Sequence, residues 1–191
     1  MNHSLFVLGG ARSGKSRYAQ ARAEATALDL LFVATAPAFD DEMRDRIDRH
    51  RQDRGDRWHS IEAPIDLAPV IDRHAAPERV ILIDCLTLWT SNLILAEQDV
   101  LEATGALDAA LARAKGPVIL VANEVGLGIV PDNALARRFR DAAGSVNQRI
   151  ATRCREVQFL AAGLPLALKR ETDGDPDRPL RSGSIDVIGS M

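Results

Sequence analysis

The stretch Gly9-Gly10-Ala11-Arg12-Ser13-Gly14-Lys15-Ser16 constrains this chain more than any other feature. It fits G-x-x-x-x-G-K-[ST], follows a short apolar run at residues 5–8, and precedes an alanine-rich, helix-favouring segment at residues 15–27. A strand, a glycine-rich turn and a helix in that order aim successive backbone N–H groups at one point, where they bind phosphate oxygens. Lys15 then reaches the β- and γ-phosphates, and the Ser16 hydroxyl ligates Mg²⁺. At this chain's own residue frequencies the motif arises by accident with a probability on the order of 10⁻³. A plain glycine turn before a helix explains Gly9 and Gly14 but not Lys15 and Ser16 in register.

The rest of the chain repeats the alternation. Apolar runs at residues 30–34, 80–83 and 117–122 read as buried strands, with a shorter one at 58–61. Helices are expected at residues 65–74, 86–96 and 100–114, and a long one from a cap at Asp132-Asn133 to about residue 155. Residues 157–161 and 164–168 read as a closing pair of strands around Gly163. Strands alternating with helices give an α/β fold, a mostly parallel central sheet with helices on both faces. One domain over residues 1–170 is expected, and the Asp-, Gly-, Pro- and Ser-rich residues 171–191 read as a flexible tail.

Composition narrows the function. Lys plus Arg number 24 against 27 Asp plus Glu, a net charge of −3, whereas a nucleic-acid-coating protein is clearly basic. No apolar run approaches membrane-spanning length, and the first residues lack the pattern of a signal peptide. Two cysteines, Cys85 and Cys154, are too few for a disulfide framework and fit a cytoplasmic setting. Only three of the 24 basic residues are lysines, Lys15, Lys115 and Lys169. Trp58, Trp89 and Cys85 read as packing groups, and His3, His59 and His74 as ordinary surface or interface residues.

Asp84 closes the run at residues 80–83. It stands where P-loop proteins place an acidic group that assists Mg²⁺, although an Asp there equally caps a helix starting at Leu86. Residues 40–54, DDEMRDRIDRHRQDR, form a charged helical pattern whose acidic start and basic end suit the helix dipole. Met43, Ile47, His50 and Arg54 fall at i, i+4, i+7 and i+11, so His50 lies on the one apolar stripe. Either it is a partly buried core histidine, or it is a nucleophile among Arg46, Arg49, Arg51 and Arg54, which would hold a triphosphate.

Four segments together carry a resemblance. They are GGARSGKS at 9–16, DDEMRDRIDRHRQDR at 40–54, LIDCLTLWTSNL at 82–93 and NEVGLGIVPDNALARRFRDAAGSVNQRIA at 123–151. The chain resembles the bifunctional adenosylcobinamide kinase / adenosylcobinamide-phosphate guanylyltransferase enzymes of cobalamin biosynthesis, over about residues 5–169. The resemblance implies a RecA-like P-loop NTPase fold and two reactions. A nucleoside triphosphate, ATP or GTP, phosphorylates adenosylcobinamide. GTP then gives GMP to a histidine, and the GMP passes to adenosylcobinamide phosphate. It further implies that His50 carries the GMP, with Lys15 as the second catalytic group. Nucleotide contacts are implied at Gly9, Gly10, Ala11, Arg12, Ser13, Gly14, Lys15, Ser16, Ala34, Thr35, Ala36, Arg51, Gln52, Asp53, Arg54, Glu62 and Asp84. Ser16 and Asp84 would hold Mg²⁺, and a homo-oligomer, a trimer, is expected. From the residues alone, a small-molecule kinase without guanylylation and a non-catalytic nucleotide-dependent switch remain as alternatives. The glycine-containing loop at 123–131 is a candidate corrinoid site by position, or equally a structural turn or a subunit contact.

Overall fold

A computed structural model describes residues 4–36 and 57–170. Among the described residues, seven strands make one sheet. They are β1 (Ser4–Gly9), β2 (Asp29–Ala34), β3 (Trp58–Glu62), β4 (Arg79–Asp84), β5 (Val118–Asn123), β6 (Glu156–Ala161) and β7 (Leu164–Lys169). The helices are α1 (Lys15–Glu24), α2 (Leu67–His74), α3 (Leu86–Leu95), α4 (Val100–Arg113) and α5 (Ala134–Arg153). The sheet order is β3-β2-β4-β5-β1-β6-β7, with every pair parallel except the β6–β7 hairpin. The expected architecture is therefore present. The charged stretch at 40–54 and the tail at 171–191 lie outside the described residues.

Side-chain alternation along the strands divides the interior into two layers. Phe6, Leu8, Leu31, Val33, Ile81, Ile83 and Leu120 point to one face, where they pack on Leu67, Ile71, Trp89, Leu107, Leu111 and Ile150 of the helices. Leu5, Val7, Leu30, Phe32, Val80, Leu82 and Val121 point to the other. There Ala19 and Ala23, one turn apart on α1, present only methyl groups and let that helix lie close to the sheet. Buried on both faces, the central strands read as continuous apolar runs rather than as alternating ones.

Helix starts divide into two kinds. The Asp99 carboxylate accepts from Leu101 N–H at 2.8 Å and Glu102 N–H at 3.1 Å to cap α4. Asn133 Oδ1 accepts from Ala136 N–H at 2.7 Å to cap α5. Among the described residues, the N-caps of α1 and α3, Gly14 and Cys85, give no side-chain cap hydrogen bond. The N-cap of α3 is Cys85 rather than Asp84, so the capping alternative for Asp84 is not the arrangement adopted. At its far end α5 is tied down by Lys169, whose ammonium donates to the Ala151 and Thr152 carbonyls at 3.3 and 2.9 Å. Lys169 thus has a structural role that the sequence did not disclose.

Arg22 of α1 grips Glu156 of β6 with two parallel bonds of 2.8 and 2.7 Å. The guanidinium holds the Glu156 carboxyl below the ordinary range, burial opposing it. The folded chain thus binds that proton more weakly than the unfolded chain. The pair's contribution is complete above the unfolded carboxyl pKa of about 4.3 and is lost as pH falls through the lower folded value. Discounted for the partial exposure of both side chains, Glu156→Gln costs about 1 kcal/mol in urea unfolding at neutral pH. That difference shrinks on acidification toward about pH 3. An equal loss at both pH values would rule out an ionic contribution.

Candidate active site

β1 ends at Gly9 and α1 begins at Lys15, so residues 10–14 must reverse the chain within one tight loop. Two positions take left-handed backbone, Arg12 at φ 54° and Gly14 at φ 90°. Gly14 is the N-cap of α1, and the N–H groups of the first turn, Lys15 and Ser16 among them, have neither an intrahelical partner nor a side-chain cap. Gly9 is required for a different reason. A Cβ on it would stand 2.5 Å from Ser13 Oγ and 2.6 Å from the Leu160 carbonyl oxygen, whereas one on Gly10 would meet nothing. Gly9→Ala is therefore expected to cost about 1–3 kcal/mol in thermal unfolding, as overpacking does, and Gly10→Ala close to nothing. Equal melting of the two variants would refute this packing argument.

Lys15 is 8% exposed. Its ammonium folds back onto the loop and donates to the Gly10 carbonyl at 3.0 Å. Burial lowers its pKa, while the negative charge of Asp84 pushes the other way. Asp84 is thus close enough to act electrostatically on the phosphate-loop lysine, although β5 separates its strand from β1. Two strand spacings amount to about 10 Å, a gap the lysine side chain helps to close. Ser13 Oγ is buried with no hydrogen-bond partner among the described residues. The loop is braced from behind. The Ser13 carbonyl accepts from Gly163 N–H at 2.9 Å, and Gly163 sits at the β6–β7 turn.

The carboxyl ends of β2, β3, β4, β5 and β1 line one edge of the sheet, the edge where open parallel sheets bind ligands. Side chains stitch these ends together. Thr35, fully buried after β2, donates its hydroxyl to the Cys85 carbonyl at 2.8 Å and accepts Cys85 N–H at 2.8 Å. The Asn92 amide donates to the Thr35 and Pro64 carbonyls at 2.8 and 3.0 Å. Thr87 Oγ1 accepts Asn123 N–H at 2.6 Å, and Glu124 N–H donates to the Gly9 carbonyl at 3.0 Å. The Thr35 hydroxyl is therefore occupied within the scaffold, which leaves Ala34 and Ala36 as its half-exposed neighbours at this edge.

The expected contacts spread along that edge rather than clustering at one point. Gly9, Gly10, Ala11, Arg12, Ser13, Gly14, Lys15 and Ser16 form the loop. Asp84 lies two strands away, and Glu62, at the end of β3, lies four strands away, about 19 Å. His50, Arg51, Gln52, Asp53 and Arg54 lie outside the described residues. Among the described residues no group of three or more His, Cys, Asp or Glu could hold a metal ion by itself. One hydroxyl and one carboxylate, Ser16 and Asp84, match Mg²⁺, which keeps several waters and takes its other oxygens from substrate phosphates.

Sequence reasoning singled out neither Thr87 nor Asn92, took Glu124 only as part of the loop at 123–131, and took Gly163 only as a turn. Glu124 could have been found, since it follows a buried strand at the ligand-binding edge. The others act across long separations that no local pattern reveals.

A braced glycine-rich loop between a parallel strand and an uncapped helix, with a buried lysine and an acidic group beyond it, defines a RecA-like P-loop nucleotide-binding α/β protein. Solved structures agree at the level of fold. The PH0250 protein of Pyrococcus horikoshii OT3 matches with a TM-score of 0.54 and 7% identity, over 90% of this chain and 88% of that one. A solved ATPase domain matches with a TM-score of 0.50 and 11% identity, over 88% and 77%. Sequence relationships go further. The family model described as cobinamide kinase / cobinamide phosphate guanyltransferase matches residues 5–168, and the chain belongs to this family. It is 46% identical to the bifunctional adenosylcobalamin biosynthesis protein CobP of Pseudomonas aeruginosa, over 86% of this chain and 96% of that one. It is 38% identical to the corresponding CobU of Escherichia coli and 39% to that of Salmonella typhimurium, each over 86% of this chain and 99% of the relative. No helix among the described residues is long and apolar enough to cross a membrane.

Proposed function

We propose that this chain carries out both reactions in the name of its family, in the adenosylcobinamide form that the relatives' role in adenosylcobalamin biosynthesis suggests. A nucleoside triphosphate first phosphorylates the alcohol of adenosylcobinamide. GMP from GTP is then passed, by way of His50, to adenosylcobinamide phosphate, giving adenosylcobinamide-GDP. The observation that carries the reading is the loop at residues 9–16, with its uncapped helix start and its buried Lys15 under the influence of Asp84.

Backbone N–H groups and the Lys15 ammonium hold the phosphates and take up the charge that builds on them during transfer. Ser16 and Asp84 would hold Mg²⁺, which neutralises charge shared between phosphate oxygens. The implied contacts at Ala34, Thr35, Ala36 and Glu62 would receive the rest of the nucleotide along the sheet edge, while Arg51 to Arg54 and His50 lie outside the described residues. A histidine carrier splits one transfer between two bulky partners into two substitutions at the same phosphorus. ATP and GTP are the nucleotide partners, and no nucleic acid is expected.

The test is incubation of the purified chain with α-labelled GTP. The expected product is protein-bound GMP, stable in alkali and released by acid. A chain that phosphorylates adenosylcobinamide yet never acquires label is a kinase alone.

A homo-oligomer, a trimer, is part of the same reading. It is supported by Leu95 at the end of α3 and Leu135 at the start of α5, 63% and 55% exposed. With Phe139 they help to line a cleft of about 220 Å³ between α3 and α5. Light scattering behind gel filtration should give a multiple of the 20.8 kDa chain. A single monomer peak would remove the idea.

A further inference from the structure

Three carboxylates close or follow strands at the ligand-binding edge: Glu62 after β3, Asp84 after β4 and Glu124 after β5. Glu62 stands four strands from the phosphate loop, and Asp84 acts on Lys15. Glu124 is different on both counts. Its strand, β5, is the immediate neighbour of β1, with Asn123 in register with Gly9. Its N–H donates to the carbonyl of Gly9, the first residue of the phosphate loop, at 3.0 Å. Its backbone is therefore one hydrogen bond from the cradle of the transferable phosphate.

The side chain is held in place too. Glu124 Oε1 accepts from Gly126 N–H at 2.6 Å, fixing the carboxylate against its own loop. Among the described residues no lysine or arginine pairs with Glu124, and nothing donates to its second oxygen. Residues 127–130, which follow at once, expose Leu127, Ile129 and Val130. A bulky, largely apolar alcohol resting on that loop would meet Glu124 on its way to the phosphate.

We propose that Glu124 is the general base of the phosphoryl-transfer step, accepting the proton of the substrate alcohol. The inference rests on the reading of this chain as an alcohol kinase. The alcohol oxygen forms a bond to the terminal phosphorus as its proton passes to the Glu124 carboxylate. The bond from that phosphorus to the bridging oxygen breaks, and its electron pair leaves on the nucleoside diphosphate. Glu124 then returns the proton to water. The transition state of such a transfer is loose, so the base acts late and mainly fixes the direction of the hydroxyl.

The experiment compares the full chain with Glu124→Gln and Glu124→Asp in two assays. One is phosphorylation of adenosylcobinamide at saturating nucleotide, across pH. The other is incorporation of label from α-labelled GTP. For Glu124→Gln, kcat for phosphorylation should fall by about 10²–10⁴-fold. KM for the nucleotide should stay within about threefold, the acid limb of the pH–rate profile should vanish, and labelling should stay within about threefold. Glu124→Asp should recover part of kcat. A kcat for Glu124→Gln within threefold of wild type overturns the proposal. A parallel fall in phosphorylation, nucleotide affinity and labelling also overturns it, because that is the signature of a loop brace. Failure of the wild-type chain to phosphorylate the alcohol would instead sink the kinase reading beneath it, so the two failures are told apart.

Discussion

Lys15→Ala should eliminate both activities while leaving the fold intact. The ammonium is buried, bonded to the Gly10 carbonyl and placed where the phosphates of the nucleotide arrive. On binding it exchanges that carbonyl for phosphate oxygen, a charge-assisted contact that strengthens as negative charge builds during transfer. Losing one such donor typically costs 10²–10³-fold, and a second step at the same loop loses it again. A combined fall of at least about 10³-fold in turnover from adenosylcobinamide to its GDP form is the expected result. Stability should move the other way. Burial lowers the Lys15 pKa, so the folded chain holds that proton less tightly than the unfolded one. The charge therefore opposes folding below the folded pKa, neutral pH included, and the penalty is relieved only as pH rises through that value. Lys15→Ala should melt at or above the wild-type temperature. Lys15→Arg should not restore activity, because a planar guanidinium does not replace a compact ammonium inside a closed loop. Turnover of the alanine variant above about a tenth of wild type would remove Lys15 from the chemistry.

The phosphate loop was legible because it is local. Eight consecutive residues specify the turn, the helix start and the lysine, and nothing distant is needed to recognise them. The strands were legible for a related reason: fully buried runs such as residues 80–83 stop where polar residues start, and observed ends differ by at most one residue. The end of α1 was harder to read. A helix-favouring composition runs to residue 27, yet the helix stops at Glu24. There Thr26 Oγ1 donates to the Ala23 carbonyl and accepts Leu28 N–H, and Ala27 turns left-handed at φ 56°. An alanine in a conformation that favours glycine gives no warning in the sequence. Sheet order was illegible for a deeper reason. The insertion of β5 between β1 and β4 is a property of crossovers, and it decides that Glu124, not Asp84, adjoins Gly9. The same holds for the Gly163–Ser13 bond, which spans most of the chain.

His50→Ala should separate the two reactions that Lys15→Ala removes together. His50 lies outside the described residues, so the expectation stands on the sequence pattern and the family. Met43, Ile47, His50 and Arg54 fall at i, i+4, i+7 and i+11 in the sequence, with Arg49 and Arg51 on either side of the histidine. An imidazole with an ordinary pKa of about 6.5 is mostly neutral at pH 7 and so already nucleophilic. In the proposed scheme the arginines would supply the charge that presents the α-phosphorus of GTP and takes up the leaving pyrophosphate. Attack by a ring nitrogen forms a phosphoramidate, which is why the label should survive alkali and be released by acid. Removing the imidazole removes the only atom to which GMP can be joined in this scheme. Label on the protein should fall below about a thousandth of wild type, a loss on the scale of deleting a covalent nucleophile. Phosphorylation of adenosylcobinamide needs Lys15 and no histidine carrier, so it should stay within about threefold. Undiminished labelling of His50→Ala would put the GMP on another residue. Loss of both activities together would mean that the segment at 40–54 builds the shared nucleotide site rather than one half of the chemistry.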